Sequence, residues 1–166
     1  DDISLLRLAE ELNHITENSN TNLVINDRPD IAVLANANAL HLGQGDLPVT
    51  AVRRFISPKM KVGLSTHSLE QAKTALAHKP DYIGFGPVYS TPTKAIPDPV
   101  VGLKHIRTVV EMSPVPVVAI GGIDFTNLRD VLDAGARNLC MVRALMHSSA
   151  TFDLIKKAKR IIGEYV

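Results

Sequence analysis

Short apolar runs recur along the chain, with amphipathic segments between them. The runs are 22–27 (NLVIND), 39–44 (ALHLGQ), 61–67 (KVGLSTH), 81–88 (DYIGFGPV), 116–122 (PVVAIGG) and 138–144 (NLCMVRA). Several are almost wholly apolar at their centres, the pattern of strands buried on both faces of a parallel sheet. The segments PDIAVLANA, PVTAVRRFI, SLEQAKTALA, LKHIRTVVEM, NLRDVLDAG and FDLIKKAKRIIGEY read as helices. In the last, Phe152, Ile155, Ala158, Ile162 and Tyr165 fall near helical spacing with the lysines elsewhere, as in an ordinary outer helix. The opening DDISLLRLAEEL is an acidic cap followed by a helical pattern, so a helix is expected there and not a targeting segment.

Alternation of this kind, with no Gly/Ser linker, describes one α/β domain over residues 1–166. Two architectures fit it, an open doubly wound sheet and a (β/α)8 TIM barrel. Polar residues separate them. Asn26-Asp27, Gln44 with Asp46, Ser65 with His67, Thr91-Thr93-Lys94, Gly121-Gly122 and Arg143 all sit at the C-terminal end of a predicted strand. An open sheet gathers ligand contacts at one switch point, whereas a barrel draws them from every strand end, so the barrel is expected. A closed barrel of this type needs eight strands and six runs are present. The expectation is therefore a barrel domain lacking its N-terminal strand–helix–strand, about fifty residues. Such a piece would have unpaired edges and exposed apolar faces. It is not expected to form a stable, active monomer alone, and a homo-oligomer is one way of covering the edges.

Composition narrows the partners. Apolar residues make up 45%, charged residues 21%, and the formal net charge is +1, the balance of a soluble globular protein. No concentrated basic face suggests nucleic acid, and the lack of Trp with few other aromatics weakens the case for base stacking. The single Cys140 cannot form an internal disulfide, which together with the absence of a signal-like segment points to the cytoplasm. No apolar run approaches the ~20 residues of a membrane span.

Asp27 and Asp46 follow successive strands, whose ~4.8 Å spacing lets two carboxylates share a hard cation. Two Asp without a His cluster suit Mg2+, which completes its shell with water and phosphate oxygens. The competing reading makes Asp27 the cap of the helix beginning RPDIA and Asp46 the start of the turn GDLP. Thr91, Thr93 and Lys94 supply two hydroxyls and an ammonium, a set that can close over a polyphosphate; the alternative is a solvated loop of turn formers. In AIGGI, Gly121 and Gly122 would let backbone amides approach a phosphate, or would simply make a tight turn. His67 can serve as an acid–base group or can satisfy a loop carbonyl. His41 and Cys140 read as residues inside strands, the first hydrogen-bonded and the second a small hydrophobe.

The segments VINDRPDIA, HLGQGDLP, GLSTHSLEQA, GFGPVYSTPTK, VVAIGGI and MVRALM follow one another as in the thiamine phosphate synthase family, which the chain resembles over essentially its whole length. The resemblance implies a (β/α)8 barrel and a transferase of thiamine biosynthesis. Such an enzyme joins a hydroxymethylpyrimidine diphosphate to a thiazole phosphate and releases diphosphate. It implies Mg2+ on Asp27 and Asp46, and diphosphate contacts from Asn26, Ser65, Thr91, Thr93 and Lys94, with Lys94 and Ser65 acting in catalysis. Thiazole phosphate contacts are implied for the Gly121-Gly122 turn and the backbone near Val142 and Arg143. Two features depart from the family pattern. The Gln-x-Arg-x-Lys motif expected at the end of the second strand is absent, and Arg143 stands where many relatives have Ser. A thiazole tautomerase-like enzyme shares the barrel but tends to have His where this chain has Pro87, and it does not need both carboxylates. A non-catalytic remnant that binds thiazole phosphate is the third reading.

Overall fold

The computed structural model describes residues 1–91, 98–146 and 148–165. These fall into two compact units, residues 1–65 with 77–81, and residues 66–76 with 82–166.

The first unit opens with α1 (Asp2–Thr16), started by the Asp1 carboxylate, which accepts the Ser4 N–H at 2.8 Å. It continues through β1 (Val24–Asn26), α2 (Pro29–Leu34), β2 (Ala39–Leu42), α3 (Val49–Val52) and β3 (Lys61–Thr66), whose last residue belongs to the second unit. The three strands are parallel and pair in chain order, with Asn26 opposite His41 and Leu42 opposite Leu64. Leu40, Leu42 and Val62 are fully buried, as expected of strands covered on both faces, and His41 between the two leucines is the polar exception. Ala9 of α1 packs on Ile31 and Ala35, with Leu6 and Ile25 beside them. Pro29 starts α2 at its first turn, and Asn36, in the left-handed region at φ 51°, ends it. Beyond it, the Asn36 and Ala37 N–H groups return to the Val33 and Ala32 carbonyls.

The second unit takes up all but the last residue of α4 (Leu69–Ala77) and continues with β4 (Tyr82–Phe85), α5 (Ile106–Met112), β5 (Val117–Ile120), α6 (Leu128–Asp133), β6 (Asn138–Cys140), α7 (Arg143–Met146) and α8 (Thr151–Gly163). β4, β5 and β6 are also parallel and in chain order. Phe85, Ile83, Ile106, Val109, Leu128, Val131 and Leu132 form its fully buried apolar centre. Gly135, at φ 109°, closes α6 as Asn36 closes α2.

All six expected strands are present, each shorter than its apolar run. The run 138–144 yields only three strand residues, because the Val142 carbonyl accepts the Leu145 and Met146 N–H groups and the chain turns into α7. The expected apolar stripe of α8 holds at Ala158, with Ile162 and Tyr165 half-buried, and is corrected at its N-terminal end. Phe152 is 69% exposed and Ile155 37%, while Ala158 and Ile161 are buried. The Phe152 ring instead carries the Lys156 ammonium, 4.2 Å from its centroid, at the surface. Among the described residues, no helix is long and apolar enough to cross a membrane.

Candidate active site

In the first unit, the Asp27 N–H reaches the His41 carbonyl at 2.9 Å, carrying the ladder one residue beyond β1. Asp27 then adopts φ 61°, a left-handed conformation that a non-glycine residue occupies at a cost. The Arg28 N–H on the Asn26 carbonyl (2.8 Å) and Pro29 at the start of α2 hold it there. The N-cap of α2 is Arg28, so that position does not belong to Asp27. Asn26 and Asp27 are both exposed.

Asp46 lies after β2, half-buried, with Oδ2 accepting the Gly43 N–H at 2.6 Å. Asp46 thus closes the turn that begins at Gly43, rather than starting the turn GDLP considered for it, and this bond fixes the carboxylate. A side chain at Gly43 would place its Cβ 3.1 Å from that oxygen. Ser65, near the end of β3, meets His41 Nε2 through Oγ at 2.9 Å, and its carbonyl accepts Gln44 Nε2 at 2.6 Å. The hydrogen-bonded role expected for His41 is found, and its partner is a predicted site residue.

Asp27 directly follows β1 and Asp46 lies in the turn after its neighbour β2, and two carboxylates of this kind suit Mg2+, which needs one or two from protein and takes its other ligands from water and phosphate. Among the described residues, no group of three or more His, Cys, Asp or Glu side chains is placed to hold a metal ion. The donors present suit a hard ion shared with a substrate phosphate better than a closed zinc site.

In the second unit, consecutive residues lace the glycine-rich end of β4. The buried Thr66 Oγ1 donates to the Gly84 carbonyl (2.8 Å), the Gly86 N–H donates to the Thr66 carbonyl (3.1 Å), and His67 Nδ1 lies 2.6 Å from the Gly86 carbonyl. His67 thus satisfies a loop carbonyl, the second of the two roles considered for it. On the other side, the Val88 and Tyr89 N–H groups bond the Ile120 and Gly121 carbonyls at 2.8 and 3.0 Å.

Gly121 and Gly122 have φ 98° and 64°, and a Cβ on either would overlap the chain beside it. At Gly121 it would lie 2.4 Å from Pro87 Cβ, and at Gly122 2.7 Å from Tyr89 Cβ. Two independent reasons therefore require glycine. The turn is tied off by Asn127, whose Nδ2 donates to the Gly122 carbonyl (2.9 Å) and whose Oδ1 accepts the Asp124 N–H (2.9 Å). The Thr126 hydroxyl and amide donate to Asp124 and hold its carboxyl below the usual range. This Asp124–Thr126–Asn127 knot and the His41–Ser65–Gln44 tie were not foreseen from sequence. The local DFTN string, a typical side-chain-to-backbone turn, is the signal for the first; the second joins residues 24 apart and leaves no local signal.

Val142 and Arg143 are exposed at the start of α7. Thr91 is half-buried and engaged by a neighbour. Thr93 and Lys94 lie outside the described residues. Burial pushes the Cys140 thiol up and, with Cys140 beside it, the Tyr82 phenol up to about 12. Both therefore stay protonated at neutral pH and are poor nucleophiles.

A family model described as thiamine monophosphate synthase matches residues 1–145. The chain belongs to the thiamine monophosphate synthase family. Among relatives in that family, it is 40% identical over 168 residues to a thiamine-phosphate synthase of Nostoc sp., covering 99% of this chain and 48% of that protein. It is 38% identical over 151 residues to the thiamine-phosphate synthase of Caldicellulosiruptor bescii, covering 91% and 68%. The chain thus spans about half the length of the first of these relatives. Among solved structures it is similar to a thiamine phosphate pyrophosphorylase from Pyrococcus furiosus, with a TM-score of 0.91 and 29% identity, covering 100% of this chain and 79% of that one. A 3-hexulose-6-phosphate synthase from Salmonella typhimurium, at 9% identity and a TM-score of 0.73 over 97% and 81% of the two chains, shares the fold alone.

Proposed function

We propose that this chain carries the thiamine phosphate synthase reaction, coupling a hydroxymethylpyrimidine diphosphate to a thiazole phosphate in the cytoplasm. The proposed fold is the family's (β/α)8 barrel. The observation that carries the reading is that Asp27, next after β1, and Asp46, in the turn after β2, follow two adjacent paired strands in a chain of this family. Mg2+, when bound by these two residues, would supply positive charge against a leaving diphosphate.

The chain's own residues account for the rest of the chemistry. The bond from the pyrimidine methylene carbon to the diphosphate oxygen breaks with its electron pair leaving on oxygen. The thiazole nitrogen lone pair then forms the new C–N bond to the resulting cation. No protein nucleophile is required, in keeping with the protonated states of Cys140 and Tyr82. With His41 donating from Nε2, the Ser65 hydroxyl hydrogen is released toward a phosphate oxygen. Asn26, Thr91, Thr93 and Lys94 add donors and one positive charge, stabilising negative charge that grows as the bond breaks. The Gly121-Gly122 turn, with the backbone at Val142 and Arg143, receives the thiazole phosphate.

The test is turnover with both substrates, reading thiamine phosphate and diphosphate together, with and without Mg2+. Equimolar, Mg2+-dependent formation of both products is expected. Absence of product, together with no binding of either substrate by calorimetry, would overturn the reading.

A further inference from the structure

The geometry points to His67 as a positioning residue that holds both described flanks of the segment carrying Thr91, Thr93 and Lys94. Its Nδ1 lies 2.6 Å from the Gly86 carbonyl on the N-terminal flank. Its Nε2 lies 3.6 Å from Asp98 Oδ2 on the C-terminal flank. The same neck is closed by the Val101 N–H, which donates to the Pro87 carbonyl at 2.9 Å. A carbonyl can only accept, so the ring must carry its proton on Nδ1 to make the first contact. The second becomes an ion pair when the ring is doubly protonated.

On the N-terminal flank the amides are held by backbone bonds, which leaves the Gly86–Pro87 peptide dependent on the imidazole. A Cβ on Gly86 would stand 2.0 Å from the Ile120 carbonyl oxygen, so the backbone there lies directly on β5. Its N–H is committed to Thr66, and the next amides to Ile120 and Gly121. Removing the imidazole would leave the carbonyl of buried Gly86 without this short bond, a costly state that the chain relieves by moving. Backbone hydrogen bonds already fix Val88 and Tyr89, which leaves the neck at Pro87, Asp98 and Val101 as the part released.

His67 therefore acts on the clamp without touching substrate. The kinetic consequence rests on the coupling reaction proposed above; the anchoring itself does not. Asn and Gln separate the two contacts, because Asn Nδ2 takes the place of the ring Nδ1 whereas Gln Nε2 takes that of the ring Nε2.

The experiment compares wild type with His67→Ala, His67→Asn and His67→Gln by steady-state kinetics and by hydrogen exchange of the free protein. His67→Ala is expected to raise KM for the pyrimidine diphosphate about tenfold, with KM for thiazole phosphate within about twofold of wild type. His67→Asn should recover most of that loss and His67→Gln should not. Exchange at the Val101 amide should quicken about tenfold in His67→Ala and return toward wild type in His67→Asn. Equal rises in both KM values, or rescue by Gln and not by Asn, would overturn the proposal. So would unchanged Val101 exchange in His67→Ala, whether or not the protein turns over. A wild-type protein that couples nothing but shows the expected exchange pattern refutes the coupling reaction and supports the anchoring. If His67→Ala does not fold, the contrast between Asn and Gln decides.

Discussion

Replacing Gly122 by Ala should separate two costs that usually arrive together, because Gly102 offers a matched control. Their φ angles are 64° and 66°, so an alanine at either position pays the same left-handed penalty of about 1–2 kcal/mol. Part of this, about 0.4–1 kcal/mol, is returned by the stiffer unfolded chain. Around Gly102 nothing lies within 4 Å of the added carbon. Around Gly122 it would meet Tyr89 Cβ at 2.7 Å and the Ser90 carbonyl oxygen at 2.8 Å, neither being the end of a flexible side chain. Overpacking of that kind costs about 1–3 kcal/mol. Gly122→Ala should therefore be less stable than Gly102→Ala by about 1–3 kcal/mol, or roughly 2–12 °C in Tm for a chain of this length. Urea titration at constant m measures the gap through the midpoints. Thiazole phosphate calorimetry should show affinity lost in Gly122→Ala and kept in Gly102→Ala. Equal midpoints for the two variants would refute the reasoning, since they would mean that the Tyr89–Ser90 backbone gives way freely.

Asp46→Asn can preserve the bond to the Gly43 amide while removing the charge, so turnover and its Mg2+ response should collapse with the urea midpoint nearly unchanged; wild-type activity with normal Mg2+ dependence would remove Asp46 from the metal site. Asp27→Ala should be about 1 kcal/mol less stable than Asp27→Gly, since only glycine accepts φ 61° without cost, and both should lose coupling; urea midpoints in the reverse order would contradict the strain at Asp27. Burial raises the pKa of the Asp81 carboxyl, but bonds from the Val62 amide, Arg53 and Lys61 outweigh it and leave the pKa below the usual carboxylate value. A folded pKa below the unfolded one adds stability at neutral pH that is lost as pH falls below about 4. The urea midpoint of wild type should thus drop more between pH 7 and pH 3 than that of Asp81→Asn, and parallel drops would refute this.

All six strands, their order along the chain, and the placement of polar residues just beyond them were legible in the sequence. A strand buried on both faces can hold little but apolar residues, and the first position free of that demand is where the polar residues appear. Local chemistry was equally readable: Pro29 opening α2, Gly135 closing α6, and the Gly121-Gly122 turn all depend on backbone angles that few residues accept. The ordered motifs from VINDRPDIA to MVRALM also carried the family. Tertiary structure decided which of two roles each ambiguous side chain takes. Asp46 is both a turn acceptor and a candidate ligand because its two oxygens can be used separately. His67 became an anchor because residue 86, distant in sequence, presents its carbonyl beside it. Phe152 was left at the surface although its spacing suited a core. In each case the outcome depends on which group from elsewhere in the chain arrives within about 3–4 Å, and periodicity along one segment carries no information about that distance.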